Sequence, residues 1–356
     1  MFSHFFQYTR AQLGSLLGDK LGFPALHADT LYKQIYRHNS EKLILRDHLP
    51  TQLVANLPSI LEVRNPVIAA KVKISAYDQS VKFLSKMQDG ALVETVLMPE
   101  KNRLTVCLSS QVGCAQACVF CHTGRMGLKR NLEAKEIVGQ LVLVNRWLAK
   151  NPDWLSNLHF SENARVSNIV FMGMGEPLDN VSEIIQALKI LTDPMGLAIA
   201  QRKISVSTAG HLDGLKRLLE VFPNVPIALS LHGTTDAERS KLLPINKRFP
   251  ILEVLSFLKD NYCSRGKSVL MQYTVISGVN DSEQHARRLL NLLEGLKVKV
   301  NLIPLNEVEK MRLKAPNAES LQNFRDILHL AGKRVMIRYS KGQDIEAACG
   351  QLVSSN

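Results

Sequence analysis

Several things are scarce in this 356-residue chain, and each scarcity excludes something. No apolar run reaches the about 20 residues that a membrane-spanning helix needs. There is no acidic surplus: 44 Lys and Arg stand against 32 Asp and Glu, a net charge of +12. That balance argues against a basic partner and favours a polyanion such as RNA or DNA. Six cysteines in a chain of this length are too few for a disulfide scaffold, and nothing else points to an oxidising compartment. The start, Met1-Phe2-Ser3-His4-Phe5-Phe6, lacks a basic stretch, an apolar core and a cleavage site. The expectation is no signal peptide and a cytoplasmic protein. Internal repeats and low-complexity tracts are missing. Apolar residues, at 46%, suffice for a full core.

Three of the six cysteines are crowded together. Cys114, Cys118 and Cys121 form a C-x3-C-x2-C pattern within eight residues. A [4Fe–4S] cluster takes cysteine thiolates. Three of them hold three irons and leave the fourth open to chelate the amine and carboxylate of S-adenosylmethionine. An electron passed to the sulfonium then releases a 5′-deoxyadenosyl radical, chemistry that belongs to the cofactors. Other readings exist. A zinc site needs four tetrahedral ligands, and the fourth would have to be His122, directly beside Cys121. Buried small hydrophobes explain one such cysteine, not three in this spacing.

Residues 1–80 read as a small helical module. A capped, helically spaced stretch begins at Asp29, and another follows Pro50. Lys33, Arg37, Lys42, Arg46 and Arg64 are scattered through it, which suits a packing appendage or an RNA-contacting accessory domain equally. A hairpin follows, turning at Asp89-Gly90. A third strand, 103–108, leads into the cysteine loop.

Strand and helix then alternate. Candidate strands are 168–172, 203–207, 227–231, 269–275, 300–303 and 334–338. Candidate helices are 134–148, 181–191, 212–221, 251–262, 282–293 and 318–331. Six βα units of this kind predict a parallel sheet with outer helices, an α/β, open, partial TIM-like barrel over 81–356. Sites in such barrels lie at the C-terminal ends of the strands, where the cysteine loop belongs. Segment 149–166 reads as a polar insertion.

Further polar residues fall at the same strand ends. Met172-Gly173-Met174-Gly175-Glu176-Pro177 is no dinucleotide fingerprint, because the third glycine is missing. Its glycines are expected to let backbone carbonyls approach an ammonium group. Ser207, Ser230-Leu231-His232 and Asn306 end later strands. Glu94 is the one acid in an apolar strand, ordinarily a solvated-face residue. Cys107 alone reads as a buried small hydrophobe. Cys349, beside Gly350 in a C-terminal loop, is either free to meet a substrate or part of a capping turn.

These stretches resemble the RlmN/Cfr family of radical-SAM RNA methyltransferases. The resemblance runs from about residue 80 to 353. It rests on Glu94-Thr95-Val96, 107–114, 172–177, Ser230-Leu231-His232, Pro244-Ile245-Asn246-Lys247 and 344–352. It implies that Cys114, Cys118 and Cys121 bind the cluster. Gly175, Glu176, Ser207, Ser230, Leu231, His232 and Asn306 would contact S-adenosylmethionine. Cys349 would carry the methyl group, Cys107 would be its resolving partner, and Glu94 the general base. The implied reaction methylates adenosine at carbon 2 in 23S ribosomal RNA, in tRNA beside the anticodon, or both, through an S-methylcysteine. It needs a one-electron donor such as flavodoxin and a disulfide reductant. A monomer is expected. Alternatives are carbon 8 of the ribosomal adenosine, which confers antibiotic resistance, a paralogue with another RNA, and a non-catalytic, metal-stabilised RNA-binding protein. The chain departs from the family at His122, usually a small residue, and at Glu307, usually proline. Its loop 307–316 lacks the family's aromatic and glycine content. Lys129-Arg130, Lys247-Arg248 and the basic run 310–314 are candidate phosphate contacts.

Overall fold

The computed structural model describes residues 3–41, 49–307 and 312–352. Its frame is one open, ten-stranded sheet whose strands lie side by side in chain order. The first three pairings are antiparallel: β1 (Ile68–Ile74), β2 (Val81–Lys86), β3 (Leu92–Glu100) and β4 (Arg103–Cys107). From β4 onward every pairing is parallel. The remaining strands are β5 (Asn168–Phe171), β6 (Ile204–Thr208), β7 (Ile227–Ser230), β8 (Val269–Val275), β9 (Val298–Pro304) and β10 (Val335–Ile337).

Helices α1 (Arg10–Leu21), α2 (His27–Tyr32) and α3 (Thr51–Asn56) precede the sheet. The six crossovers between parallel strands carry α4 (Ala134–Lys150), α5 (Val181–Leu191), α6 (Leu212–Val221), α7 (Ile251–Asn261), α8 (Glu283–Leu292) and α9 (Ala318–Leu330). This is the partial (βα)6 barrel that the alternation predicts. Its strands are apolar on both faces, as in Val-Leu-Met-Gln-Tyr-Thr-Val of β8, because helices cover one side and the barrel interior the other.

The N-terminal segment differs from the helical reading at its far end, since 68–74 is strand. Ile68, Val72 and Ile74 alternate there with Lys71 and Lys73, a period of two that helical reading overlooks. β1 is an exposed edge, and its lysines blunt the edge against pairing with another chain. Earlier residues are tied closely to the barrel. Phe5, Phe6, Tyr32 and Tyr36 form a buried aromatic cluster. Arg10 bridges Asp29 at 2.6 Å and Asp193, beyond α5, at 3.0 Å. Segment 149–166 is not simply a loop: it contains a helix, Pro152–Asn157. Trp154 there packs edge-on against Trp147 of α4, which meets Phe83 of β2.

Candidate active site

Cys114, Cys118 and Cys121 line a cleft at the C-terminal ends of the parallel strands. Their loop is held by its own backbone. Cys114 N–H donates to the Gly127 carbonyl at 3.1 Å, and Cys121 N–H to Cys118 at 3.1 Å. Gly113 must be glycine: its φ is +77°, and a Cβ there would stand 1.9 Å from the Gly127 oxygen. Burial pushes the Cys114 thiol up to about 12 and Cys118 higher still, and each is raised further by its neighbours. Thiols in such surroundings ionise only beside strong positive charge. Among the described residues no three His, Cys, Asp or Glu side chains converge tightly enough for a single metal ion. A zinc site requires that convergence. A four-iron cluster attaches each thiolate to a different iron and accepts a wider triangle.

The same cleft is lined by Gly175, Glu176, Ser207, Ser230, His232 and Asn306. Glu176 Oε2 accepts from the Ala209 N–H at 2.8 Å and Oε1 from Leu178 at 3.2 Å. Burial pushes its carboxyl up to about 7, against the pull of the Ala209 hydrogen bond. His232 sits at φ +54°, and its Nδ1 accepts the Thr274 N–H at 2.8 Å. The ring proton is therefore on Nε2, and burial keeps the ring neutral by lowering its pKa to about 3. Gly173 and Gly175 line the cleft and also serve packing. They let the loop pack onto the cysteine-bearing segment: a Cβ on Gly175 would lie 2.5 Å from Gln111 Cβ. The Met174 carbonyl is taken by the Ser110 N–H at 2.8 Å.

A second cleft adjoins the first and shares Met172, Gln272, Ile303 and Cys349 with it. Cys107 and Cys349, 242 positions apart in sequence, both line it, with Arg338, Tyr339 and Lys341. Both thiols are free. Burial, with Cys349 adding to the rise, pushes Cys107 up to about 12. Cys349 is exposed as a residue, yet the protein around its sulfur still raises the thiol, with Arg338 pulling it back. The Cys349 loop is pinned from the first cleft. Asn306 Nδ2 donates to the Cys349 carbonyl at 2.9 Å, and His122 N–H to the Gly350 carbonyl at 2.7 Å.

Two expected site residues lie elsewhere. Leu231 is fully buried and lines neither cleft; its backbone is what holds the strand end, through N–H to Gln272 O at 2.9 Å. Glu94 is no solvated-face acid. It is 4% exposed, bridges Lys82 at 2.9 Å and lines neither cleft, although Val96, Met98 and Glu100 on the same strand face line the second.

Other residues emerge only in three dimensions. Gln272 Oε1 accepts from Ser207 at 3.2 Å and Ser230 at 3.5 Å. Its signal was legible, a lone amide in an apolar strand. Arg239, 1% exposed, donates to the carbonyls of Leu231 and Ser230, each at 3.0 Å, to that of Ala209 at 2.5 Å, and to Asn246 Oδ1 at 2.8 Å. It splints three backbone carbonyls at the strand ends, and it gives Asn246 a purpose. Nothing in Asp-Ala-Glu-Arg-Ser-Lys-Leu marks it as other than a surface helix. Of the candidate phosphate contacts, Arg130 is committed to Glu136 and Asp89, each at 2.8 Å. Arg248 pairs with Asp213 at 3.2 Å and Lys314 with Glu307 at 3.1 Å. Lys310 and Met311 lie outside the described residues.

Residues 108–290 match the model of the Radical SAM superfamily. The chain is 42% identical over 283 residues to a probable dual-specificity RNA methyltransferase RlmN of Akkermansia muciniphila, covering 77% of this chain and 75% of that one. It is 39% identical to the dual-specificity RNA methyltransferase RlmN of Campylobacter curvus, covering 97% and 92%. A crystal structure of a radical SAM methyltransferase from Sphaerobacter thermophilus superposes with a TM-score of 0.90 at 37% identity, covering 99% and 100%. The chain belongs to the RlmN/Cfr family of radical SAM RNA methyltransferases.

Proposed function

We propose that this enzyme methylates carbon 2 of an adenosine in 23S ribosomal RNA, in tRNA or in both, through an S-methylcysteine at Cys349. One observation carries the reading: Cys107 and Cys349 meet in a cleft that opens onto the three-cysteine cleft. A buried-cysteine or RNA-binding role alone needs no such meeting.

Cys114, Cys118 and Cys121 would hold a [4Fe–4S] cluster. Two thiols raised by burial, Cys114 and Cys118, with Cys121 lining the same cleft, fit a strongly positive centre. Gly175, Glu176, Ser207, Ser230, His232 and Asn306, with the Leu231 backbone, would hold S-adenosylmethionine. When bound, these groups supply a methyl group and, on one-electron reduction from a donor such as flavodoxin, a radical that abstracts hydrogen from it.

The protein's own residues do the rest. Carbon 2 of adenine is electron-poor, so direct polar methylation has no nucleophile to use. Cys349 Sγ gives up its proton and takes the methyl; after hydrogen loss, that carbon bonds the ring. Glu94 accepts the ring proton. The one electron left over would return to the group held by the three cysteines. Cys107 then loses its proton and attacks Cys349 Sγ, and the sulfur–carbon bond breaks with its electron pair left on the carbon. That carbon takes up a proton to become the methyl group, a disulfide forms and the methylated base leaves; an outside two-electron reductant restores both thiols. At rest Cys107 is held protonated by burial, so its proton must leave before it can attack. Exposed Tyr339 beside Arg338 and Lys341 suits an unstacked base and its phosphates. Residues 1–80 would be an accessory module that contacts the RNA, and the enzyme would work as a cytoplasmic monomer.

The test is mass spectrometry of nucleosides from cells lacking the protein and from cells complemented with it or with Cys349→Ala. Expected is 2-methyladenosine that vanishes on deletion and returns only with the intact protein. Loss of 8-methyladenosine instead would move the reaction to carbon 8. No change in any methyladenosine overturns the reading.

A further inference from the structure

Lys82 is an anomaly that the machinery above leaves unused. Lysine is almost never fully buried without a partner, yet Lys82, on a central strand of the antiparallel flank, is 7% exposed. Its ammonium makes two contacts of different kinds. It bridges Glu94 Oε1 at 2.9 Å, across the β2–β3 pairing. It also donates to the Glu346 carbonyl at 3.1 Å, 264 positions away. Glu346 is a non-glycine residue at φ +55°, three positions before Cys349.

The loop holding Cys349 is clasped to this flank at further points. Asp78 Oδ2 accepts the Gly342 N–H at 2.8 Å, and Asp344 Oδ2 accepts the Ala76 N–H at 3.0 Å. These fix the loop but do not touch Glu94. Among the described residues, Lys82 bonds both the Glu94 carboxylate and the backbone of the Cys349 loop.

We propose that Lys82 is a positioning residue that couples the two, and this rests on the reading of Glu94 and Cys349 given above. Its ammonium stands 2.9 Å from the Glu94 carboxylate, an opposite charge beside the group that would accept the proton. Its remaining N–H bonds hold the loop so that the Cys349 sulfur and the proton acceptor approach one base together. A lysine does both because its three donors radiate from one point charge. A neutral donor can keep the loop bond and loses the charge.

The experiment compares Lys82→Gln, Lys82→Arg, Asp78→Asn and Cys107→Ala, each loaded with its cluster and given RNA, S-adenosylmethionine and reductant. The readout is a nuclease-sensitive protein–RNA adduct on a denaturing gel, with S-methylation of Cys349 measured alongside by peptide mass spectrometry. In Lys82→Gln, Cys349 should still be methylated while adduct accumulates at least tenfold over the unaltered protein, because proton removal stalls. Lys82→Arg, which keeps the charge, should restore release at least partly. Asp78→Asn loosens only the loop, so it should lower Cys349 methylation without accumulating adduct. Adduct in Cys107→Ala with none in Lys82→Gln overturns the role of Lys82 alone. No adduct in Cys107→Ala overturns the reading beneath it. Equal adduct in Asp78→Asn and Lys82→Gln would reduce Lys82 to a loop clasp and also overturn the coupling. If Lys82→Gln does not fold, Lys82→Met, which removes both the charge and the loop bond, takes its place: adduct at least tenfold over the unaltered protein is expected, and none overturns the proposal.

Discussion

The two adjoining clefts are built in opposite ways. The first is assembled from one local loop and a series of parallel strand ends, and Arg239 holds three of its carbonyls from behind. The second is assembled from the antiparallel flank, the end of β4, Met172, Gln272 and Ile303 from the parallel strands, and a C-terminal loop. The barrel fixes most of the first, and Cys349 and Gly350 of the C-terminal loop complete it. In the second, the reactive parts depend on long-range clasps: Asn306 and His122 on one side, Asp78 and Lys82 on the other. A barrel rim can therefore keep cofactor binding constant while the substrate-facing wall is carried by a separate, replaceable loop.

The largest expected effects separate the clefts outright. Replacing Cys114, Cys118 or Cys121 with Ala should remove the cluster, read as loss of about four irons per chain after anaerobic preparation. Stoichiometric zinc in the unaltered protein would break the comparison at its root. Cys349→Ala should keep the iron and lose all methylation. Cys107→Ala should also keep the iron but retain attachment, so RNA becomes trapped on the protein. A Cys107→Ala enzyme that turns over repeatedly without adduct would show that the second cleft does not work as a thiol pair.

The same contrast explains what could be read in the sequence. The parallel strands and their helices were legible because each is a contiguous apolar run with its own period; β8 was placed at both of its ends. The cysteine loop was legible because its ligands lie within eight residues. The pairing of Cys107 with Cys349 was not, since no local pattern encodes contact across 242 positions; only the family resemblance carried it. Glu94 misled for the same reason. An acid in an apolar strand is ordinarily solvated, and the lysine that permits its burial sits on the neighbouring strand. Arg239 was invisible because its helix, Asp236–Leu242, carries charges suited to solvent, while the carbonyls it serves lie on other elements.

A smaller effect tests whether the first cleft is as rigid as its construction implies. Arg239→Met would remove a donor from three carbonyls and Asn246 Oδ1, although the Leu231 carbonyl keeps the Gly233 N–H. Unsatisfied buried groups cost about 1–3 kcal/mol each, partly offset by removing a buried charge, so a net loss of about 3 kcal/mol is expected. Chemical denaturation should show it as a lower midpoint with little change in slope, and S-adenosylmethionine affinity should fall with it. Unchanged affinity at reduced stability would mean that the strand ends keep their shape without the splint.

The smallest effect concerns charge, and it asks whether only the second cleft meets the polyanion. RNA binding should weaken steeply with salt, because each phosphate contact releases counterions. S-adenosylmethionine binding in the first cleft should change little over the same range, since its ligands are buried and poorly screened. Lys341 lines the second cleft, so Lys341→Ala should flatten the slope of log K against log salt. The change should be about 0.7 for a single-stranded contact or about 0.9 for a duplex one. Lys314 should behave more weakly, because Glu307 already neutralises it at 3.1 Å and an exposed pair of this kind is worth little either way. Arg130→Ala should leave the slope unchanged and lower stability instead, because its guanidinium is committed to Glu136 and Asp89. If Arg130 flattened the slope and Lys341 did not, the RNA path would run along the paired strands Gln111–Gly113 and Leu128–Asn131 that flank the cysteine loop rather than over the second cleft, and the division of labour between the clefts would have to be redrawn.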